Sequence, residues 1–302
     1  MSIFVEARIR GSLDELWRLT QTPDLHARWD LRFTDIEYLP RPDPEQPQQF
    51  RYATRIGFGV AVQGCGETVG EKDGANGERT SALKFWSDDP KSLIREGAGY
   101  WRYVPTDDGV RFFTAYDYRV RFGMVGRAFD RVIFRPLIGW ATAWSFDRLR
   151  LWIEKGIDPA VSLQRSLTHG VAHSAVAFVW VYQGVVPKLL GPHADELMLI
   201  QQAGVPGANA AMCARLLGCG EVAFGMVMLF AFHRRWPLLL TVVLMIVATI
   251  GVAVNSAPFL WAAFNPVSLN LTVVALACIG LLAGRDLPSA RRCSRKKPTG
   301  GA

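Results

Sequence analysis

The stretch Trp236–Val254, WPLLLTVVLMIVATIGVAV, runs for 19 residues without a charged side chain. Three further apolar runs of similar length lie after residue 165: Val171–Leu190, Met212–Phe232 and Val267–Ala283. Each has about the 17–25 residues that a helix needs to cross ~30 Å of hydrocarbon. The sequence therefore predicts an all-α bundle of four transmembrane helices over residues 168–285.

Charged residues are unevenly distributed along this 302-residue chain. Residues 1–160 hold 23 Lys+Arg and 23 Asp+Glu, whereas residues 161–302 hold 11 and 4, which supplies the whole formal charge of +7. Six of those basic residues lie between Arg285 and Lys297. We expect residues 286–302 to form a basic cytoplasmic tail that contacts the anionic lipid bilayer. Nucleic acid is not an expected partner, because no basic stripe or stacking platform accompanies the tail.

The loops between the apolar runs indicate an orientation. The loop His233–Arg235 and the tail are basic, whereas the loops 191–211 and 255–266 contain no Lys or Arg. Because cytoplasmic loops carry an excess of Lys and Arg, this bias places both termini in the cytoplasm. Met1–Arg10 contains charges and lacks the apolar core of a signal peptide. We therefore expect four spans, with the amino-terminal half in the cytosol.

Residues 1–158 have the patterning of an α+β domain. Alternating apolar residues in Ile3–Ile9 predict a half-buried strand. Ser12, with Glu15 three residues later, forms a capping box that opens a short helix, and a second short helix follows. Turn-rich sequences separate six further predicted strands, at 33–39, 49–58, 60–71, 78–86, 93–104 and 109–122.

A long amphipathic helix is predicted to close this domain, from about Val125 to Lys155. Its apolar residues recur at steps of three or four, which is helical spacing: Phe129, Ile133, Leu137, Trp140 and Trp144. Pro136 is expected to kink it. One strand, two short helices, several antiparallel strands and one long helix describe the helix-grip layout. In that layout a curved antiparallel sheet wraps the last helix and leaves a cavity between them.

The segment Arg119–Trp152, RVRFGMVGRAFDRVIFRPLIGWATAWSFDRLRLW, together with Ser12, Leu16-Trp17 and Trp29, resembles the START-like superfamily, also called SRPBCC. The resemblance implies a cavity for a hydrophobic ligand such as a lipid, a quinone or a similar apolar metabolite. Aromatic residues are the candidate ligand contacts: Tyr100, Tyr103, Tyr116, Tyr118, Trp140 and Trp144. The alternative is that they are ordinary core aromatics.

No catalytic centre is evident in the amino-terminal half. It contains one histidine, His26, and no Ser/His/Asp set. The five cysteines show no CxxC pair and no metal-ligand spacing, so no bound metal is predicted. His169 and His173 are one helical turn apart, but they lack a third ligand. A cyclase or hydrolase tethered to the membrane is the least supported function.

Polar residues within the predicted spans are costly in hydrocarbon and mark candidate sites. At 1.5 Å per residue, Glu221 lies ~14 Å and Gln183 ~10 Å from the outer boundary, so the two side chains are within reach of each other. Glu221 is expected either to pack neutrally against Gln183 or to pair with Lys188 or Arg215. Small residues such as Gly218 allow the close helix approach that this requires. The candidate polar cluster comprises Gln183, Lys188, Glu196, Arg215, Glu221, Asn265 and Asn270.

These membrane residues resemble the DoxX-like family of bacterial four-helix membrane proteins. The resemblance covers residues 168–284 and rests on Val179–Leu190 (VWVYQGVVPKLL), Glu196, Leu217–Glu221, Ala263–Pro266 and Asn270. It implies a location in the bacterial cytoplasmic (inner) membrane. DoxX relatives have been connected with quinone and thiosulfate chemistry and with thiol redox homeostasis. The resemblance therefore implies a quinone as the cofactor to test and a redox partner protein, although no cofactor motif is evident.

Two functions remain open from the sequence. In the first, the cytosolic domain binds an apolar small molecule and presents it to the membrane helices. In the second, the membrane domain is a redox subunit that binds a quinone headgroup through Glu221, Gln183 and Lys188. In that second case a partner protein has to supply the electrons.

Overall fold

The computed structural model describes residues 2–43, 46–57, 59–74, 76–263 and 265–297. The chain forms two compact units. The first is Met1–Ser162 together with the segment that begins at Pro288, and the second is Leu163–Leu287. The boundary at Ser162 lies close to residue 165, where the composition of the sequence changes.

The amino-terminal unit is built on one seven-stranded antiparallel sheet with the order β1-β7-β6-β5-β4-β3-β2. Its strands are β1 Ile3–Ile9, β2 Asp35–Tyr38, β3 Gln49–Gly57, β4 Val60–Asp73, β5 Arg79–Trp86, β6 Ile94–Thr106 and β7 Gly109–Val120. Two short helices, α1 (Leu13–Gln21) and α2 (Pro23–Trp29), follow β1. Ser12 caps α1 as predicted, because its hydroxyl accepts a hydrogen bond from the Glu15 backbone N–H at 3.2 Å.

One long helical segment closes the unit. It consists of α3 (Gly123–Phe129), a π-helical turn (Asp130–Phe134) and α4 (Arg135–Lys155). The proline ring at position 136 conflicts with the carbonyl four residues earlier in a regular α-helix, and that carbonyl lies in the π turn. The predicted disturbance at Pro136 therefore takes the form of a wide turn just before it. The helix-grip fold is confirmed.

The face of α4 that packs on the sheet differs from the predicted apolar stripe. Thr142 and Phe146 are fully buried, and Phe146 stacks on Phe112 of β7 with ring centroids 4.5 Å apart. Trp144 is also buried, whereas the rest of the stripe is 42–55% exposed: Phe129, Ile133, Leu137 and Trp140. The helix packs on β1 through the face that contains Gly139, and most of the bulky stripe faces away from the sheet.

The segment after the last membrane helix lies on the amino-terminal unit. Ser294 and Glu6 of β1 exchange two backbone hydrogen bonds at 2.9 Å, so the segment extends the edge of the sheet. Asp147 of α4 is fully buried and accepts hydrogen bonds from the Ser289 backbone N–H at 2.7 Å and from Arg292 at 3.0 Å. Part of the predicted tail 286–302 is therefore anchored to a folded domain, which the sequence did not predict; its residues 298–302 lie outside the described residues.

The remaining elements are helical. They are α5 Pro159–Gly184 with a π turn Val185–Leu190, α6 Ala194–Gln202, α7 Gly207–Phe230, α8 Trp236–Asn255, α9 Pro266–Ala283, and 3-10 turns at Ala257–Trp261 and Ala290–Arg292. Within the described ranges α7, α8 and α9 are long and apolar enough to cross a membrane, and α5 with α6 qualifies as a pair bent by 97°. Three or four candidate spans thus stand against the four predicted.

A candidate ligand cleft and a membrane polar cluster

The inner face of the sheet alternates aromatic rings with glycines. One cross-strand row runs Tyr118–Gly97–Phe85–Gly66–Phe50 from β7 to β3. A methyl group at Gly97 would collide with the Phe85 ring, and one at Gly66 would collide with the Phe50 ring. Each of these two rings therefore lies flat over the glycine of the neighbouring strand, where the missing side chain leaves room. The row forms a shallow apolar floor.

This floor is only partly covered. Four inward-facing residues on β3 and β5 are half-buried: Phe50, Tyr52, Leu83 and Phe85. α4 packs on β1, which is at the opposite side of the sheet from β3. Phe134, whose ring meets Tyr118 at 6.1 Å between centroids, and Ile138 are half-buried on the helical side. We call the accessible apolar space between this floor and the helical segment the cleft.

A buried charged pair lies beside the cleft. Asp30 is 1% exposed and accepts hydrogen bonds from Nε and Nη2 of Arg32 at 2.9 and 2.6 Å. His26 Nε2 lies 3.1 Å from the second oxygen of Asp30. The Arg32 guanidinium lies over the rings of Phe33 and Tyr116, at 5.5 Å from each centroid. These contacts fix the guanidinium between the carboxylate and two aromatic faces.

Contacts connect the pair to the cleft floor. The ring of Phe33 meets that of Tyr52 edge-on, with centroids 5.5 Å apart. The side chains of Arg32 and His26 keep 13% and 12% of their area accessible, although Asp30 between them has none. The pair is therefore largely buried, and part of the Arg32 and His26 side chains is still accessible.

Burial and pairing set the charges of this group. Burial acts to raise the pKa of Asp30, but the charge and hydrogen bonds of Arg32 outweigh it and hold that pKa well below its usual range. Burial lowers the pKa of His26, against the opposing hydrogen bond to Asp30. At neutral pH the histidine is therefore uncharged, and His26, Asp30 and Arg32 together carry no net charge.

A second buried arginine joins α4 to its surroundings. Arg148 donates two hydrogen bonds to the Pro159 carbonyl, at 2.8 and 2.6 Å, and one to the Trp29 carbonyl at 3.5 Å. Burial lowers its pKa to about 10, so it stays charged at neutral pH. Its carbonyl partners mark it as a structural tie between α4, α2 and the start of α5.

Tyr116 and Tyr118, both predicted ligand contacts, lie on the inner face. The Tyr116 hydroxyl lies 2.9 Å from Thr142, which itself donates to a backbone carbonyl, so the tyrosine donates to the threonine. The Tyr118 hydroxyl donates to Asp130 at 2.6 Å, and Arg135 holds the other oxygen of that carboxylate at 2.9 Å. Both hydroxyls are thus engaged within the domain.

The other four predicted aromatics have different surroundings. Tyr103 has no exposed surface and its hydroxyl lies 2.7 Å from that of Thr20, so it belongs to the core. Tyr100 pairs with Ala115 and is three residues from Tyr103. It lies on the outer face, because residues three apart in a strand point to opposite sides. Trp144 is buried, and Trp140, which stacks on it, is 42% exposed.

In the second unit, one lysine pairs with two carboxylates. Lys188 Nζ lies 3.2 Å from Glu221 on α7 and 3.3 Å from Glu196 on α6. Its third neighbour is the backbone carbonyl of Gln183, also at 3.3 Å. The lysine is buried in the π turn that follows α5. Of the two arrangements left open for Glu221, the structure has the pairing with Lys188.

Close helix contact surrounds this cluster. A methyl group at Gly218 of α7 would lie 2.8 Å from the Gly184 carbonyl, and one at Gly184 would lie 2.6 Å from the Gly218 carbonyl. The predicted role of Gly218 in close helix approach is confirmed.

Three predicted members of the polar cluster lie apart from it. Asn265 caps α9 by accepting a hydrogen bond from the Ser268 backbone N–H at 2.8 Å. Asn270 donates to Thr249 of α8 at 3.0 Å, and Arg215 is exposed. The cluster is therefore smaller than predicted, and Gln183 contributes its backbone instead of its amide.

The paired histidines bind helix-end carbonyls. The two ring nitrogens of His169 lie 2.8 Å from the Gly280 carbonyl and 3.0 Å from the Phe232 carbonyl. His173 Nε2 lies 2.9 Å from the Met228 carbonyl. Over the described residues no group of three or more His, Cys, Asp or Glu could hold a metal ion.

The group His26, Asp30 and Arg32 was not among the candidate site residues predicted from the sequence. The spacing of four between His26 and Asp30 is the signal that was there to use, because residues i and i+4 meet on a helix. Arg32 lies in the loop after α2, and the fold is what brings it to the inner face.

Comparisons with known proteins concern both halves of the chain. Residues 177–278 match the model of the DoxX-like family. The chain is 38% identical over 296 residues to the membrane protein YndG of Bacillus subtilis (strain 168), which covers 98% of this chain and 97% of YndG.

Two solved structures resemble the amino-terminal half. One is a STAR-related lipid transfer protein from Xanthomonas axonopodis, with 15% identity and a TM-score of 0.40 over 51% of this chain and 86% of that one. The other is the Zhui aromatase/cyclase from Streptomyces sp. R1128, with 12% identity and a TM-score of 0.40 over 52% and 97%.

Proposed function

The chain belongs to the YndG family of membrane proteins and carries a DoxX-like domain, and we propose that its START-like half binds an apolar small molecule in the cleft. The observation that carries this proposal is that the domain leaves inward-facing aromatic side chains of the sheet half-buried, such as Tyr52 and Phe85. Covering such rings removes apolar area from water at about 25 cal/mol per Å². A ligand with a flat or extended apolar body gains this free energy.

The polar group of that ligand has one evident neighbour. Asp30 takes two of the five N–H donors of Arg32. The Tyr116 hydroxyl is the other electrostatic partner of the guanidinium. Further N–H groups remain for an acceptor, so a carbonyl, ester or hydroxyl oxygen suits the site. This chemistry fits a lipid, a quinone or a similar apolar metabolite.

Photo-crosslinking of the full chain tests this proposal. We expect a diazirine-bearing long-chain alcohol to label peptides of β3, β5 and α4 in purified protein. Leu83→Trp should reduce labelling at least several-fold, because residue 83 faces the cleft. Lys84→Trp is the matched control, because Lys84, the next residue along β5, faces outward and is exposed. Absence of labelling in the START-like half, or equal labelling in both variants, would overturn the proposal.

The anchored carboxy-terminal segment bears on topology. Ser294 pairs with Glu6 of β1, which supports a topology with β1 and the segment at Ser294 on the same side of the bilayer. An even number of crossings is then needed, which favours four spans with α5 as the first. The basic loop His233–Arg235 favours the cytoplasm for that side. A reporter active only outside the cell, fused to the carboxy terminus, should give no signal; a strong signal would refute this topology.

The alternative function, a redox subunit that binds quinone at the membrane cluster, has weaker support. Lys188 forms ion pairs with Glu196 and Glu221 and donates a hydrogen bond to the Gln183 carbonyl. A quinone carbonyl would have to compete with two carboxylates for this ammonium. The cluster instead holds α6 against α5 and α7, which is a structural role.

A further inference from the structure

Large apolar side chains on the helical segment face away from the sheet. Seven of them are 42–78% exposed, and we call them the exposed apolar face: Met124, Val125, Phe129, Val132, Ile133, Leu137 and Trp140. They recur at roughly helical spacing and so form one continuous surface. Monomeric soluble proteins rarely leave a contiguous apolar patch of this size uncovered, and such patches mark interaction sites.

A second segment carries apolar residues at the same end of the sheet. The β3–β4 hairpin exposes Ile56 and Val60, and Phe122 is exposed just before α3. In this antiparallel order β3 and β7 run in the same direction, so both finish at the same end of the sheet. Arg121 donates to the Asp89 carbonyl at 2.7 Å, and the Asp89 carboxylate accepts from the backbone of β4 at 3.2 Å. These bonds hold the two segments at that end of the sheet.

The charges beside the exposed apolar face are basic. Between Arg121 and Trp140 the sequence has four arginines and one acid, Asp130. That acid is buried and bonded to Tyr118 and Arg135, so it adds no negative surface. Arg127 and Arg131 are exposed. Helices that combine large apolar residues with Lys or Arg lie at the boundary between lipid headgroups and acyl chains, most strongly on anionic lipid.

We propose that the exposed apolar face rests in the headgroup region of the bilayer, with Arg127 and Arg131 on anionic headgroups. The same chain carries the candidate membrane spans, so the domain is tethered to a bilayer. Phe134 and Ile138 lie within the same segment and border the cleft. An apolar ligand can therefore pass between lipid and cleft without crossing water. This exchange route rests on the proposed function, whereas the membrane contact does not.

Fluorescent labelling of the full chain tests the contact. The background replaces the five native cysteines with serine, and Val132→Cys receives the environment-sensitive label NBD. Asp108→Cys, in the β6–β7 turn at the other end of the sheet, is the matched control. Each protein is placed, one copy per nanodisc, in POPE with POPG or in POPC alone. Lipids with a nitroxide on the acyl chain act as quenchers.

We expect NBD at position 132 to shift its emission to the blue and to be quenched several-fold more than at position 108. Arg127→Gln with Arg131→Gln should reduce the difference between POPG-containing and POPC nanodiscs. Equal, water-like emission at both positions would overturn the membrane contact, as would shielding that appears only with two copies per nanodisc. If position 132 is quenched by lipid while the photo-crosslinking probe labels nothing, the membrane contact stands and the proposed function fails.

Discussion

At the scale of single residues, Asp30 is the side chain on which the inner polar group depends. Asp30→Asn would leave the Arg32 cation inside the domain without its carboxylate, which costs about 3–5 kcal/mol for a buried pair. We predict a clearly lower unfolding temperature for the amino-terminal unit. Hydrogen exchange of the β7 amides measures it. Asp158→Asn is the control, because its pair with Arg28 is 40% and 47% exposed and should contribute about 0–1 kcal/mol. Similar effects of the two substitutions would contradict the role of the buried pair.

His26 should make the stability of the same unit depend on pH. Burial lowers its pKa in the folded state, while the unfolded chain keeps a value of about 6.5. Below that value the unfolded state binds more protons than the folded one, so stability falls as the pH drops from 7.5 to 5.5. Asp30 does not titrate in this window, because its folded pKa lies below the ordinary carboxyl range.

The measurement compares thermal unfolding of the amino-terminal unit at pH 7.5 and 5.5. His26→Gln should shrink the difference between the two, and His193→Gln, at an exposed residue of the other unit, should leave it as in the unaltered protein. An unchanged pH dependence in His26→Gln would exclude this histidine as its source.

At the scale of elements, the aromatic–glycine row explains how the sheet keeps a shallow floor. Gly97→Ala would push a methyl group into the Phe85 ring and to 2.7 Å from the Asp117 carbonyl. We predict a loss of about 1–3 kcal/mol in the free energy of unfolding, the usual cost of overpacking. Gly70→Ala is the matched control, because nothing lies within 4 Å of its added methyl group. In chemical denaturation Gly70→Ala should be neutral or slightly stabilising, and an equal loss in both variants would refute the close contact.

Elements with a strong local pattern could be predicted from the sequence. The alternation in Ile3–Ile9 and the Ser12 helix cap each involve neighbouring residues, and the structure has both the strand and the cap. The face of α4 did not follow from its pattern, because the helix has apolar residues on two sides. Which side packs depends on tertiary contacts, such as the stacking of Phe146 on Phe112 of β7, that no local window contains.

The candidate sites show the same division. Lys188 was one of the partners expected for Glu221, so the observed pair was among the arrangements predicted. Arg32 comes from a loop and meets Tyr116 of β7 only after the sheet forms. Tyr100 and Tyr103 are three residues apart on β6, so they point to opposite faces of the sheet.

At the scale of the whole molecule, the chain returns to the amino-terminal unit after its last membrane helix. Asp147 accepts hydrogen bonds from this returning segment, at Ser289 and Arg292, and also one from Arg150 of α4. Removing residues 288–302 would therefore expose a buried carboxylate and free the edge of β1. A lost bond to a charged group costs about 1.5–3 kcal/mol.

We predict that the chain ending at Leu287 unfolds its amino-terminal unit at a lower temperature and exchanges amide hydrogens faster in β1 and α4. A chain ending at Lys297 is the control, since it keeps every contact described for the segment, and Arg292→Gln should fall between the two. If the chain ending at Leu287 melts like the one ending at Lys297, the segment is not anchored in the membrane-bound protein.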